Sequence, residues 1–355
     1  MLALVVIFLC LILIVANRAD KSPGLRPVVY VLLLLINAGI VVLYGLTPLS
    51  RAQQGSQTIT VADAQVGLAL AILFALLATA LLSEAVRRQL AHFFRRPQTA
   101  APSDSPAIGS ETVSGGFDPA SMAHMIALVY CVYLLAETIL EFVIAGGLSG
   151  LAQQMKDATA SGSGPLSTGA VLEQALIWLV IAALGVGLLA RRNLPQTLQR
   201  LGLRWPTVAE MTISVSMSGG LILFAFVVGI VWQLVTPSST FDQQTQLSQL
   251  ISGGVNTLGF AFLVAACAAI GEEIAFRGAL QPIFGLWPTA IFFALTHIQY
   301  TLTPATLLIV GVALGLGWLR QRYNTTAAII AHFTYDFTLL ALPLYLHYLQ
   351  RFSGK

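Results

Sequence analysis

Three clusters of polar side chains interrupt the apolar C-terminal part of the chain, each with helical spacing. They are Glu272, Glu273 and Arg277; Phe293 and His297; and His332 and Asp336. An ionisable side chain at membrane depth costs roughly 3 kcal/mol or more, so such residues are rare and are commonly functional. Carboxylates and imidazoles that lie close together can activate water, relay protons or bind a metal ion. The clusters therefore predict chemistry inside a membrane.

Spacing separates the two glutamates of the first cluster. Glu273 and Arg277 are four residues apart and share a helix face, so they can form an ion pair. Glu272 is turned by about 100° from its neighbour, which leaves its carboxylate for another partner. The same spacing places His332 and Asp336 on one helix face. We therefore predict Glu273 and Arg277 as a structural pair and a separate role for Glu272.

The composition is that of a multi-pass membrane protein. Of the 355 residues, 57% are hydrophobic and 9% are charged, whereas a typical soluble domain is about 25% charged. The mean hydropathy is +0.82. The net charge of +3 is less informative than the positions of the charges. The three cysteines lie inside apolar runs and are interpreted as small buried hydrophobic residues: Cys10, Cys131 and Cys267.

Ten apolar runs predict an all-α, polytopic transmembrane bundle of about ten helices. They span residues 1–16, 28–46, 66–82, 125–147, 171–190, 213–235, 255–280, 286–298, 305–319 and 327–346. The first run precedes its basic neighbours Arg18, Lys21 and Arg26. A signal peptide has its positive charges first, so this order predicts a retained first helix.

Arginines follow the third, fifth and ninth runs. They are Arg87, Arg88, Arg95 and Arg96; Arg191, Arg192, Arg200 and Arg204; and Arg320 and Arg322. Under the positive-inside rule these loops face the cytoplasm. The rule then predicts an external N-terminus, a multi-pass protein of the cell membrane, and a site near its cytoplasmic side. Only the tail, with Arg351 and Lys355, conflicts with this topology.

As a set, the three clusters resemble the CPBP family of intramembrane proteases. This family includes the type II CAAX prenyl endopeptidases and bacterial Abi relatives linked to bacteriocin processing and immunity. The pattern Glu-Glu-x-x-x-Arg, Phe-x-x-x-His and His-x-x-x-Asn/Asp is present in the family order. The resemblance is carried by residues 255–346. Asp336 stands where the eukaryotic enzymes have Asn, and an ionised Asp, unlike Asn, has no hydrogen to donate to an oxyanion.

The resemblance implies an endopeptidase that cleaves a membrane-associated or lipidated protein or peptide within the bilayer. Glu272 and His297 would hold a water and remove its proton. His332, oriented by Asp336, would donate to the oxyanion. The supporting residues would be Glu273, Arg277 and Phe293.

Metal dependence is open at this stage. Glu272, His297 and His332 together offer two imidazoles and a carboxylate, which is a catalytic zinc ligand set. The family is often labelled a metalloprotease for this reason. The usual His-Glu-x-x-His zinc motif is absent from the sequence. We therefore favour a site without a cofactor, with zinc as the alternative.

The resemblance and the linker composition divide the chain into four segments. We predict three N-terminal transmembrane helices in residues 1–96 and a flexible cytoplasmic linker, rich in Pro, Ser and Gly, in residues 97–122. Supporting membrane helices follow in residues 123–250, and the CAAX-protease-like catalytic core occupies residues 251–350. Within that core, the spacing of Gly311 and Gly315 predicts close helix packing.

Two functions of other classes compete with the protease. Glu137 and Glu141 share one face of the fourth run, and intramembrane carboxylates also occur in proton-coupled transporters. The inverted repeats common in transporters are not apparent in the sequence. A non-catalytic immunity or scaffold protein with the same fold is the other alternative. The expected partners are the bilayer and a protein substrate; nucleic acid is not expected, because the arginines lie at membrane boundaries.

Overall fold

The computed structural model describes residues 2–55, 59–94, 116–160, 167–298, 300 and 305–352. Within these ranges every named element is a helix, which confirms the predicted all-α bundle. Residues 97–115, which are most of the predicted linker, lie outside the described residues, as do Arg95, Arg96 and Lys355.

The helices follow one another through short connections. The N-terminal part contains α1 Leu2–Ala19, α2 Arg26–Ile40, a π-helix π1 Val41–Leu46, α3 Thr47–Gln53, α4 Val61–Ala80 and α5 Glu84–Leu90. The middle part contains α6 Met122–Ile144, α7 Gly147–Ala160, α8 Thr168–Gly185, α9 Leu194–Leu201, α10 Val208–Val235 and α11 Ser238–Ser252. The C-terminal part contains α12 Leu258–Glu272, a second π-helix π2 Glu273–Leu280, α13 Gln281–Phe284, α14 Leu286–Leu295, α15 Thr306–Arg322 and α16 Thr325–Phe352.

All ten predicted apolar runs fall on helices. Among the described residues, seven helical stretches are long and apolar enough to cross a membrane: Pro23–Gln53, Val61–Ala80, Met122–Ile144, Thr168–Gly185, Val208–Val235, Leu258–Phe284 and Thr325–Gln350. A stretch of about 20 apolar residues spans the hydrocarbon core of a bilayer. The chain is therefore a multi-pass membrane protein, and the shorter apolar helices such as α14 complete the bundle.

Small residues let the helices of the C-terminal bundle approach closely. A Cβ atom added to Gly311 would lie 2.4 Å from Phe224 Cζ, and one added to Gly315 would lie 2.8 Å from Leu221 Cδ2. Both contacts join α15 to α10, as the glycine spacing predicted. At the end of α12, Gly271 packs in the same way on α8, where its Cβ would lie 3.3 Å from Trp178 Cβ.

The short helix α9 is polar on one side and packs against π2 with the other. Asn193 and Gln196 form a capping box at its N-terminus, which satisfies two backbone N–H groups at this end. Gly202 ends the helix in the left-handed region, with φ of 72°. The carbonyl of Gly202 accepts from the N–H of Thr325 at 3.0 Å. The end of α9 is thereby attached to the beginning of α16.

Replacing Gly202 by Ala is expected to destabilise the protein more than the same change at Gly55. Both glycines have positive φ, 72° and 84°, and a left-handed non-glycine residue costs about 1–2 kcal/mol. Only at Gly202 does the added Cβ also meet neighbours, at 2.8 Å from the Arg320 guanidinium and 3.0 Å from Thr325 Oγ1. Thermal unfolding of the two purified variants measures the difference, and equal losses would contradict the packing argument.

Candidate active site

Two residues of the first polar cluster, Glu273 and Arg277, lie on the π-helix π2, whose residues are all buried, and Glu272 is the last residue of α12. Its i→i+5 hydrogen bonding is rare and occurs mostly as bulges at functional sites. Two arginines from other helices donate to carbonyl groups of π2. Arg320 Nε donates to the carbonyl of Arg277 at 3.2 Å, and Arg200 Nη1 donates to that of Gly278 at 3.0 Å. The sequence predicted a regular α-helix here, and π2 is a departure from it.

The ion pair predicted within the first cluster is present. Arg277 Nη1 lies 3.1 Å from Glu273 Oε1, and the two side chains are 1% and 0% exposed. The guanidinium also stacks over the ring of Phe293, with Cζ 4.2 Å from the centroid. Its Nη2 donates to the carbonyl of Ala313 at 3.3 Å. A buried cation needs several such partners to offset its desolvation, so Arg277 ties π2 to α14 and α15.

Glu273 has a second partner that the sequence did not predict. His332 Nδ1 on α16 lies 2.9 Å from Glu273 Oε1, and His332 Nε2 lies 3.2 Å from Asp336 Oδ2. Both ring nitrogens can donate only when the imidazole is protonated. When His332 is protonated, the two positive charges of Arg277 and His332 balance the two negative charges of Glu273 and Asp336. Glu272 is then an additional carboxylate beside a neutral network.

Glu272 is only partly buried, unlike its neighbour Glu273. Within the described residues, no hydrogen bond or ion pair reaches its carboxylate. It lies within electrostatic range of His297, His332 and Asp336. The structure thus brings together the glutamate, both histidines and the aspartate that the sequence singled out, although they come from three separate helical segments.

His297 follows directly after α14 and is fixed by its own helix. Its Nδ1 lies 2.8 Å from the carbonyl oxygen of Phe293. Since a carbonyl can only accept, Nδ1 carries the proton in the neutral ring, and Nε2 is then the acceptor nitrogen. The His297 ring also packs on Phe293 at a centroid distance of 4.6 Å.

Phe293 is the packing centre of the site. Its ring contacts those of Phe276 at 5.1 Å and His332 at 6.2 Å, in addition to Arg277 and His297. The sequence placed this residue in a supporting role on the family pattern alone. The structure shows the contacts that Phe293 makes, and these contacts join α14 to π2 and α16.

The described side chains do not form a preassembled zinc site. Among the described residues, no group of three or more His, Cys, Asp or Glu side chains is placed to hold a metal ion. A zinc ligand must offer a nitrogen lone pair, whereas both ring nitrogens of His332 face carboxylate oxygens. His332 would therefore have to give up one of these two contacts, and the proton on that nitrogen, before it could bind zinc together with Glu272 and His297.

Glu137 and Glu141 have different surroundings. Both lie on α6 and interact electrostatically with Tyr44 of π1. Among the described residues, no hydrogen bond or ion pair joins either glutamate to the three clusters.

Fold and site together define a polytopic helical membrane protein with an acid–base network buried inside the bundle. Residues 254–338 match the family model of type II CAAX prenyl endopeptidases, described as Rce1-like. The match confirms the predicted resemblance to the CPBP/CAAX proteases over these residues, and the C-terminal part of the chain contains a CAAX-protease-like domain. All of the candidate site residues fall within the matched span. No curated protein and no solved structure matched the chain.

Proposed function

We propose that the chain is an intramembrane endopeptidase that hydrolyses a membrane-associated or lipidated protein substrate with a water activated by Glu272. The observation that carries this proposal is the position of Glu272. Its carboxylate lies within electrostatic range of both imidazoles yet takes no part in the buried network of Glu273, Arg277 and His332. A partly desolvated carboxylate beside an acceptor imidazole is suited to general base catalysis.

In the proposed reaction, Glu272 removes a proton from a water held between its carboxylate and His297 Nε2. The water oxygen bonds to the carbonyl carbon of the peptide, and the carbonyl π electrons move to its oxygen. Glu272 then gives the proton to the amide nitrogen as the C–N bond breaks. As the carbonyl double bond re-forms, the products are a carboxylic acid and an amine, and proton transfer between them gives a carboxylate and an ammonium group. The base returns to its starting state.

His332 is the proposed oxyanion donor, but we propose that Glu273, and not Asp336, orients its ring. Its Nδ1–H is anchored on Glu273 at 2.9 Å, whereas the Nε2 contact with Asp336 is longer at 3.2 Å. Asp336 is 25% exposed and can turn away. The carbonyl oxygen of the substrate would then replace Asp336 as the acceptor of Nε2–H. Glu273, rather than Asp336, would hold the ring during the reaction.

The contacts of Arg200 and Arg320 with π2 support a site near the cytoplasmic side. Arg200 and Arg320 belong to the arginine-rich segments that the positive-inside rule assigns to the cytoplasm. Both donate to carbonyl groups of π2. The substrate would therefore be presented from inside the cell. The division at residues 96, 122 and 250 stays a prediction, with the family match at 254–338 falling inside the proposed core.

The direct test is substrate trapping with the full chain. Wild type and Glu272→Gln are expressed with affinity tags, and bound proteins are compared by mass spectrometry. The variant should retain membrane proteins that wild type releases as cleaved products. Recovered substrates are then cleaved in proteoliposomes, and proton flux is measured in the same vesicles. Proton flux with no cleavage would favour the transporter, and neither activity would favour the scaffold.

Metal removal is expected to leave cleavage unchanged. Neither the general base nor the oxyanion donor of the proposed reaction requires a metal, and His332 has both nitrogens engaged. Cleavage of a trapped substrate is measured before and after treatment with EDTA and phenanthroline, with a known zinc protease as the control. Loss of activity on chelation, restored by zinc and accompanied by zinc binding that His297→Ala abolishes, would contradict the proposal.

A further inference from the structure

A cavity of about 110 Å³ lies behind π2, on the face opposite the candidate site. Ala275 and Ala279 of π2 line it, whereas Glu273 and Arg277 do not. Helices α1, α6 and α8 supply the other walls, and none of the seven candidate site residues takes part. The cavity is therefore separate from the proposed chemistry.

One part of the cavity lining is cationic. Arg191, Arg192 and Arg200 line the cavity, and its described lining residues include no carboxylate. Arg191 pairs with Asp20 at 3.1 Å, but that carboxylate also accepts from the backbone N–H of Met122 at 2.5 Å. In addition, Arg191 Nε is buried without a hydrogen-bond partner. A buried donor of this kind costs free energy until an acceptor reaches it.

Another part of the lining is apolar and adjoins a second cavity. Ile126, Tyr130, Trp178 and Ile181 belong to this apolar part. The adjoining apolar cavity of about 20 Å³ shares Ile126, Tyr130 and Ile181, and extends to Leu33 on α2. The two cavities together combine three arginines with a larger apolar surface, and this chemistry suits an anionic amphiphile.

We propose that this cavity binds an anionic phospholipid of the bilayer, with its phosphate at the three arginines and an acyl chain along the apolar wall. Basic pockets between transmembrane helices are suited to anionic lipid head groups. The carboxylate of a lipidated substrate shares this chemistry. The bilayer lipid is favoured because the candidate catalytic residues lie on the other face of π2.

A bound lipid would also stabilise π2. Trp178, which lines the cavity, packs on Phe276 of π2 at a centroid distance of 5.5 Å. Phe276 in turn packs on Phe293 at 5.1 Å. A lipid in the cavity would contact Trp178 and would thereby restrict the movement of Trp178, Phe276 and Phe293. The lipid site does not depend on the proposed protease activity, since binding and stability can be measured without a substrate.

The test uses the full chain, purified and delipidated in neutral detergent, with phosphatidylglycerol or phosphatidylcholine added. Thermal unfolding and native mass spectrometry report binding. Phosphatidylglycerol should raise the melting temperature of wild type and remain bound, whereas phosphatidylcholine should do neither. Loss of one charged contact corresponds to about tenfold weaker binding, which is expected for Arg192→Gln. The matched control is Arg88→Gln, the same change at an arginine that is 71% exposed on α5, and it should bind as wild type does.

A second variant keeps every charge. Ala127→Leu places a larger side chain on the cavity wall and should weaken phosphatidylglycerol binding without altering the arginines. Equal binding of the two lipids, or equal losses in Arg192→Gln and Arg88→Gln, would overturn the proposal. A third outcome would also overturn it. If an alkylated peptide with a free C-terminal carboxylate displaced phosphatidylglycerol at concentrations below those at which the lipid itself binds, the cavity would be a substrate subsite.

Discussion

Replacing Glu272 by Gln is expected to lower the rate of peptide cleavage by about 10²–10⁴-fold, the contribution typical of a general base. Gln is nearly isosteric but cannot take a proton from water. Stability should change by about 0.5 kcal/mol or less, because the Glu272 carboxylate has no hydrogen-bond or ion-pair partner within the described residues. The measurement is the cleavage rate of a trapped substrate in proteoliposomes, together with the melting temperature of the same preparation.

The matched control for this prediction is Glu173→Gln. Glu173 is an exposed carboxylate on α8, so the variant removes the same charge from the same protein away from the site. It should cleave at the wild-type rate. Normal cleavage by purified Glu272→Gln would show that the base has been assigned to the wrong residue.

The same substitution one residue further along should have the opposite result. Glu273→Gln is expected to lose about 3–5 kcal/mol of stability, because it leaves the buried cation of Arg277 without its counter-charge. The Glu273 carboxylate is fully buried and contacts both Arg277 and His332. Urea unfolding in detergent and the yield of folded protein after purification measure this loss.

A double-mutant cycle separates the ion pair from other effects. Arg277→Met alone also leaves a buried charge unpaired, whereas combining it with Glu273→Gln removes both charges. The double variant should be more stable than the sum of the two single losses predicts, with a coupling energy of about 0.5–3 kcal/mol. A stable Glu273→Gln beside an unfolded Glu272→Gln would mean that the two glutamates have exchanged roles.

The features that the sequence predicted are those that one helix determines by itself. Apolar length alone located the membrane helices, because the bilayer sets how many residues must be apolar. Contacts between residues four apart were also predictable, as for Glu273 with Arg277 and His332 with Asp336, because side chains at that spacing lie on one face.

The features that the sequence did not predict depend on how helices pack against one another. The contact between Glu273 and His332 joins π2 to α16, and the stacking of Arg277 on Phe293 joins π2 to α14. The periodicity of apolar residues predicts neither the angle at which two helices cross nor the rotation of each helix about its own axis. The widened turn of π2 was also missed, since its stabilising donors, Arg200 and Arg320, are distant in sequence.

The widened turn of π2 changes the phase between the two ends of one long helix. An α-helix turns by about 100° per residue, so accommodating one additional residue rotates everything that follows by about that angle. Glu273, at the start of π2, contacts His332 on α16, whereas Gln281, just after π2, donates to the carbonyl of Gly317 on α15 at 2.8 Å. One continuous helix thereby contacts two neighbouring helices from its two ends, with a rotation between the ends that differs from that of a regular α-helix. Deleting one residue between Glu273 and Gln281 would rotate the two ends of this helix relative to each other. One of the two contacts, with α16 or with α15, would then be lost.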